Sequence, residues 1–257
     1  MVARLPLRPP TRYNNVMSRT EPEAREKLVE AGLRLLEEQG PEALNARRLA
    51  AEIGASTMAV YTHFGGMAGV YEALGREAFA RFERHLRLPD TDDPVADLLA
   101  LGLAYREYAL ASPERYRLMF GLAPQGSLPS FGHDLTTEGT PTTVTEMNDA
   151  FALLPRLVRR AMDAGRIRED DPVLVAGQFW CMVHGYVLLE TIGMFGQEGR
   201  GVLHILGPQA INLLVGLGDD RRAAERSAGL PPQDLGTAKA AAEEPAPRRG
   251  RRPRSTQ

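Results

Sequence analysis

The residues best placed to do chemistry lie between Ala46 and Gly65, in the run ARRLAAEIGASTMAVYTHFG. Its third helical segment, opening at Ser56, would present Thr57, Met58, Tyr61 and Thr62 on one outward face. These short polar, apolar and phenolic groups suit phosphate oxygens, thymine methyls and base edges when a helix N-terminus enters a major groove. The helix dipole favours a nearby phosphate. Arg47, Arg48 and His63 flank the face and are expected to contact the nucleic-acid backbone, as are Tyr61 and Asn45. No catalytic set is among them.

The other slots in the run have steric reasons. Ala50 is small where two helices would cross closely, and Gly54 stands where the turn needs a positive φ. Leu49, Ile53 and Val60 would pack the crossing against a preceding helix. This spacing also occurs in helix pairs that serve only packing, so on spacing alone both uses stay open. Net charge does not decide between them: Ser18 to Gly66 holds six Lys/Arg against eight Asp/Glu. A basic footprint must therefore be local.

The elements that position this run are all helical, because 3.6-residue periodicity recurs along the chain and no alternating strand pattern appears. A first helix runs from Pro22 to about Gln39, with Leu28, Val29, Leu33, Leu35 and Leu36 as its stripe and Gly40-Pro41 as its stop. Asn45 suits the N-cap of the second helix, which ends at Gly54; the third spans Thr57 to about His63, before Gly65-Gly66. A linking helix, 67–86, buries Val70, Leu74, Ala78, Phe79 and Phe82, and Pro89 with Asp90 to Asp93 marks a joint. Further helices are expected at Pro94–Ala111, Pro113–Phe120, Thr143–Asp163, Pro172 to about Phe195, and up to Leu217, where Gly207-Pro208 either kinks the last helix or opens it. The expected division is a basic leader (1–17), a three-helix helix-turn-helix DNA-binding domain with its linking helix (18–88), a helical ligand-binding and dimerisation domain (89–217) and a disordered tail (218–257). A Gly/Pro/Thr-rich loop from Gly121 to about Pro141 interrupts the second domain.

The stretch Glu23 to Leu74, with LVEAGLRLLEEQG followed by LNARRLAAEIGASTMAVYTHFGG, resembles the N-terminal DNA-binding domain of the TetR family of transcriptional regulators. The resemblance implies a homodimer on a palindromic operator, usually a repressor, with a small-molecule pocket in the second domain. It also implies that Tyr61 and His63 match the family's usual phosphate contacts, that Arg47 matches a frequent arginine, and that Asn45 stands where Ser or Thr is common. Two positions depart from the pattern: Arg48 stands where an acid is frequent, and Met67 where many members carry a phosphate-contacting lysine. Further on, Phe179 to Tyr186, FWCMVHGY, resembles the tryptophan-histidine-glycine signature of one C-terminal subclass, with Trp180 and His184 separated here.

For the pocket, the candidates are the aromatics and methionines of the surrounding helices: Tyr105, Tyr108, Met119, Phe120, Phe151, Phe179, Trp180 and Met182. They suit an apolar or aromatic effector. Gly177, Cys181 and Gly185 recur every fourth residue and would let another helix approach, so the helix they share is expected at a dimer seam. That helix approaches membrane-spanning length, but Gln178, His184 and Glu190 interrupt it and no basic flank is evident, so no membrane partner is expected. Cys181 and His184 share a face without further ligands nearby, so no metal and no cofactor are expected.

Composition agrees with an ordinary globular chain: 43% of the 257 residues are hydrophobic and 25% charged, which excludes collagen-like and wholly disordered classes. A single cysteine cannot form an internal disulfide, and a cytoplasmic location is expected. The first 17 residues contain Arg4, Arg8 and Arg12 but no apolar segment, and are either a disordered arm or a leader preceding a true start at Met17. The Arg-rich end, Arg248 to Arg254, is either a grip on DNA or a solvated tail. No nucleotide, hydrolase or zinc-protease motif is present, so an enzyme is not expected. The alternative function is a small-molecule-binding or structural helical dimer with weak or lost DNA binding.

Overall fold

A computed structural model of the chain describes residues 17–121, 136, 145–196 and 199–229. Among them all regular structure is helical. The helices are α1 (Met17–Gln39), α2 (Ala46–Glu52), α3 (Thr57–Phe64), α4 (Met67–Leu86), α5 (Pro94–Ala111), α6 (Pro113–Met119), α7 (Thr145–Asp163), α8 (Pro172–Thr191), α9 (Gly207–Gly216) and α10 (Arg221–Ser227). The leader before residue 17, the loop over most of 122–144 and the Arg-rich end lie outside the described residues.

Apolar side chains collect in two clusters, and α4 belongs to both. Its first half supplies Val70, Tyr71, Ala73 and Leu74 to a cluster with Leu28, Leu33 and Leu36 of α1, Leu49 and Ala50 of α2 and Val60 of α3. Its second half, from Ala78 through Phe79 and Phe82 to Leu86, enters the larger cluster built by α5 to α10. The small helix α6 is divided in the same way: Leu118 is buried in the first cluster, Tyr116 and Met119 in the second.

Several elements differ from the sequence expectation. Helix α1 starts at Met17, not Pro22, and α8 ends at Thr191 in a turn whose Gly193 takes φ +85°. The two readings of Gly207-Pro208 merge: a π-helical turn, Val202–Leu206, runs directly into α9, with Pro208 in its first turn. The widened turn suits a proline that has no N–H to give the ladder.

The chain after Gly218, expected to be disordered, is ordered through Gly229 as α10. Its anchors are ionic and small rather than a stripe of large apolar groups. Asp220 caps the helix by accepting from the Ala223 N–H at 2.9 Å, and Ala224 is fully buried. Arg166 grips the buried Asp219 with two bonds of 2.9 Å and reaches Asp93 at 3.1 Å, while the Ser227 hydroxyl donates to Asp93 at 2.6 Å.

Arginines also neutralise the acidic joint before α5. Arg156 forks onto Asp90 at 2.7 and 3.0 Å, and Arg160 donates to Asp97 at 2.7 Å and to the Thr91 carbonyl at 2.7 Å. Burial opposes ionisation of Asp97, yet the Thr91 hydroxyl at 2.7 Å, the Thr91 N–H at 3.0 Å and Arg160 outweigh it and hold the carboxyl below its ordinary pKa.

Two measurements check this packing. A carboxylate whose pKa falls on folding stabilises the fold above its unfolded value, about 4, and loses that contribution as pH falls through the lowered folded value. Thermal stability is therefore expected to drop below about pH 4, and Asp97→Asn to blunt that drop. At the entry to α4, a Cβ on Gly69 would lie 1.9 Å from the Phe64 carbonyl oxygen, a backbone atom that cannot swing away. Gly69→Ala is expected to lower the urea unfolding free energy by about 1–3 kcal/mol.

Candidate nucleic-acid interface and internal cavity

The helix-turn-helix is built by short-range constraints. Asn45 is extended, and its Oδ1 accepts from the Arg48 N–H at 3.0 Å while its amide donates to the Ala43 carbonyl at 3.3 Å. Gly54 takes φ +66° in the turn, as its position demanded, and Gly65 ends α3 in the left-handed region at φ +70°. Ser56 occupies the N-cap position of α3, but its hydroxyl makes no capping bond.

With Val60 fully buried, α3 turns Thr57, Met58, Tyr61 and Thr62 to solvent, and Ser56 is exposed at its start. Met58 is 69% and Tyr61 53% exposed, unusual for side chains of their size. Thr62 spends its hydroxyl proton on the Met58 carbonyl at 3.0 Å. His63 is half-buried, edge-on to Phe64 with ring centroids 6.4 Å apart. Arg47 and Arg48 are exposed on α2, Arg48 donating to Gln39 at 3.2 Å. Asn45, expected to contact the nucleic-acid backbone, has its side chain engaged within its own cap. Met67, at the position where the resemblance leads one to expect lysine, packs against the first cluster.

In the second cluster a cavity of about 440 Å³ opens between α4, α5, α7, α8 and the π turn. Tyr105, Phe120, Phe151, Phe179, Trp180 and Met182 line it. Two other candidates do not. Met119 is buried within the packing, and Tyr108 turns its hydroxyl to the Ala78 carbonyl at 2.9 Å and its ring beneath the Arg115 guanidinium, 5.6 Å from the centroid. Ala228, just beyond α10, closes part of the wall, so the segment expected as tail contributes to the cavity.

The sequence reading missed a polar triangle beside this cavity. The Tyr105 and Tyr116 hydroxyls lie 2.9 Å apart and reach His184 Nδ1 at 2.8 and 2.7 Å, while the Trp180 indole donates to Tyr105 at 3.4 Å. Burial lowers the His184 pKa. Arg115, the neighbour of Tyr116 on α6, pairs with Glu37 of α1, and its buried Nε has no partner. Among the described residues no group of three or more His, Cys, Asp or Glu could hold a metal ion.

Gly177, Cys181 and Gly185 share an open strip on α8. Cys181 is exposed, and a Cβ on either glycine would meet nothing within 4 Å. Leu174 and Leu189 are exposed along the same helix and Ile192 just beyond its end, as are Leu203 and Ile205 on the π turn. Helix α8 is long and apolar enough to cross a membrane. Its other side, with Val175, Phe179, Val183 and Tyr186, is core, and Glu190 receives two 2.7 Å bonds from Arg106 of α5.

An exposed second helix of a helix-turn-helix, joined to a cavity-bearing helical bundle, defines a class of DNA-binding regulator. Residues 28–74 match the family model described as bacterial regulatory proteins, tetR family, and residues 98–202 the model described as tetracyclin repressor-like, C-terminal domain. The chain belongs to the TetR family and is a DNA-binding transcriptional regulator. It is similar to an uncharacterised helix-turn-helix regulator of Mycobacterium tuberculosis, 25% identical over 175 residues that cover 66% of this chain and 72% of the relative. The tetracycline repressor protein class C of Escherichia coli is 30% identical over 100 residues, 39% of this chain and 46% of the relative. Among solved structures, a Rhodococcus sp. RHA1 protein of unknown function superposes with a TM-score of 0.61 at 26% identity, covering 76% of this chain and 96% of its own. RolR in complex with resorcinol shares the fold, with a TM-score of 0.57 at 16% identity over 84% and 98% of the two chains.

The cap geometry gives a direct test. Asn45→Ala is expected to cost about 1 kcal/mol of stability in urea denaturation, whereas Asn45→Asp, which keeps the capping oxygen but loses the amide bond to the Ala43 carbonyl, is expected to cost less than the alanine variant.

Proposed function

We propose that the protein is a cytoplasmic homodimeric repressor whose two α3 helices enter successive major grooves of a palindromic operator, and that a small apolar or aromatic effector in the α4–α8 cavity releases it. The observation that carries the reading is the outward face of α3: large and hydrogen-bonding side chains are exposed there while Val60 alone is fully buried. Thr57, Met58 and Thr62 are assigned to the bases, and Tyr61, His63, Arg47, Arg48 and Ser56 to the backbone. The open strip around Gly177, Cys181 and Gly185, with Leu203 and Ile205 beside it, supports pairing of α8 and the last long helix with their copies as a four-helix bundle. Helix α6 is the proposed link. Tyr116 belongs to the polar triangle beside the cavity, while Arg115 and Leu118 hold α1 and the first cluster. An effector that fits one placement of α6 better shifts the population by its differential affinity and no more.

Selection and sequencing of genomic fragments bound at near-physiological salt is expected to enrich one palindromic site. Uniform weak binding would instead favour a ligand-binding or structural dimer. On the enriched site, Tyr61→Ala and His63→Ala are each expected to weaken binding; wild-type affinity in both would overturn the assigned phosphate contacts. Arg47→Ala is expected to weaken binding to all sequences alike and to reduce the salt slope by about 1.

A further inference from the structure

Among the described residues the cavity wall contains no charged side chain, and of their lining side chains only those of Tyr105 and Trp180 carry nitrogen or oxygen. An ion entering it would lose its hydration and find no counter-charge on those side chains. Among the described side chains a neutral ligand with one polar end has one place to satisfy it, where the Trp180 indole meets the Tyr105 hydroxyl at 3.4 Å.

The protons in the triangle fix what that place offers. Tyr105 and Tyr116 are buried, so each hydroxyl hydrogen needs an acceptor. If Nδ1 of His184 carried a hydrogen, three donors would compete for two oxygens and one buried hydroxyl hydrogen would be left over. With Nδ1 bare, every donor has its acceptor in either direction around the triangle: Trp180 N–H to Tyr105, with Tyr105 O–H to Tyr116 and Tyr116 O–H to His184, or with Tyr116 O–H to Tyr105 and Tyr105 O–H to His184. Burial of His184 favours the same uncharged imidazole. In both directions all protons are committed; in the first the Tyr105 oxygen receives only the long bond from Trp180 and keeps acceptor capacity, so a ligand hydroxyl at that oxygen selects the first direction. A ligand carbonyl or ether finds no free donor there, but a ligand hydroxyl finds an acceptor at the head of a donor chain whose members polarise one another.

We infer that the cavity binds an uncharged, hydroxyl-bearing apolar molecule of the phenol or alcohol class, its hydroxyl donating to the Tyr105 oxygen. This rests on the effector-cavity reading above and names its ligand chemistry.

Calorimetric titration of the full-length protein with 2-naphthol, 2-methoxynaphthalene and 2-naphthoate at neutral pH separates the two. The expected order is 2-naphthol tighter than 2-methoxynaphthalene by about tenfold, with no detectable binding of the naphthoate anion. Tyr105→Phe, shown to be folded by its melting curve, is expected to bring 2-naphthol to the methoxy compound's affinity; the wild-type comparison stands without it. Equal wild-type affinities for the hydroxyl and methoxy probes overturn the hydroxyl assignment and leave the effector cavity standing. Naphthoate binding as tightly as naphthol overturns the uncharged class. Failure of all three probes to bind overturns both readings together.

Discussion

An eight-residue helix has too few internal hydrogen bonds to hold itself, so α3 owes its existence and its direction to the surfaces beneath it. Two contacts supply them: Val60, fully buried in the first cluster, and the near-touch between the Phe64 carbonyl and the first turn of α4, where Gly69 leaves no room for a Cβ. Everything proposed for the outward face depends on that seat. Met58 and Tyr61 are exposed because the opposite side of so short a helix is fully taken up.

The same helix that seats α3 continues without a break into the cavity-bearing cluster. Twenty residues at 1.5 Å per residue make α4 a rod of about 30 Å. A tilt of about 5° at its Phe82 end displaces its Met67 end by roughly 2 Å, a sizeable fraction of the 3.4 Å rise of one base pair. Small repacking around a ligand is thus enough to disturb the spacing of two recognition helices, with no need for a loose hinge. The Arg115–Glu37 pair supplies a second connection, from α6 to α1.

What the sequence disclosed and what it concealed follow from the range of the forces involved. The helix-turn-helix was legible because its determinants are neighbours in the chain: the Asn45 cap, the positive φ of Gly54, and Leu49, Ala50 and Val60 at helical spacing. Gly69 was passed over because a glycine three residues into a helix looks neutral until the Phe64 carbonyl is placed against it. Helix α10 escaped a search for apolar stripes because its anchors are an aspartate, a serine and an alanine gripped by residues 53 to 134 positions away. Six of the eight candidate cavity residues line it, but which face of α5 and α6 turns inward decided against Tyr108 and Met119. The Tyr105–Tyr116–His184 triangle joins positions 11, 68 and 79 apart, a closeness that only tertiary packing creates.

The wall of the cavity also bears on how such a protein changes over time. Nearly every lining side chain is aliphatic or aromatic, and volume-conserving exchanges among such residues usually cost less than about 1.5 kcal/mol. The contour of the cavity can therefore drift through single tolerated substitutions while the fold survives each step. The Phe64–Gly69 contact allows no comparable latitude, since any side chain at 69 collides with backbone. Within one chain, the chamber is open to mutational exploration and the seat of α3 is closed to it, so diverging copies would be expected to part first in what they bind inside and last in how they hold the helix outside.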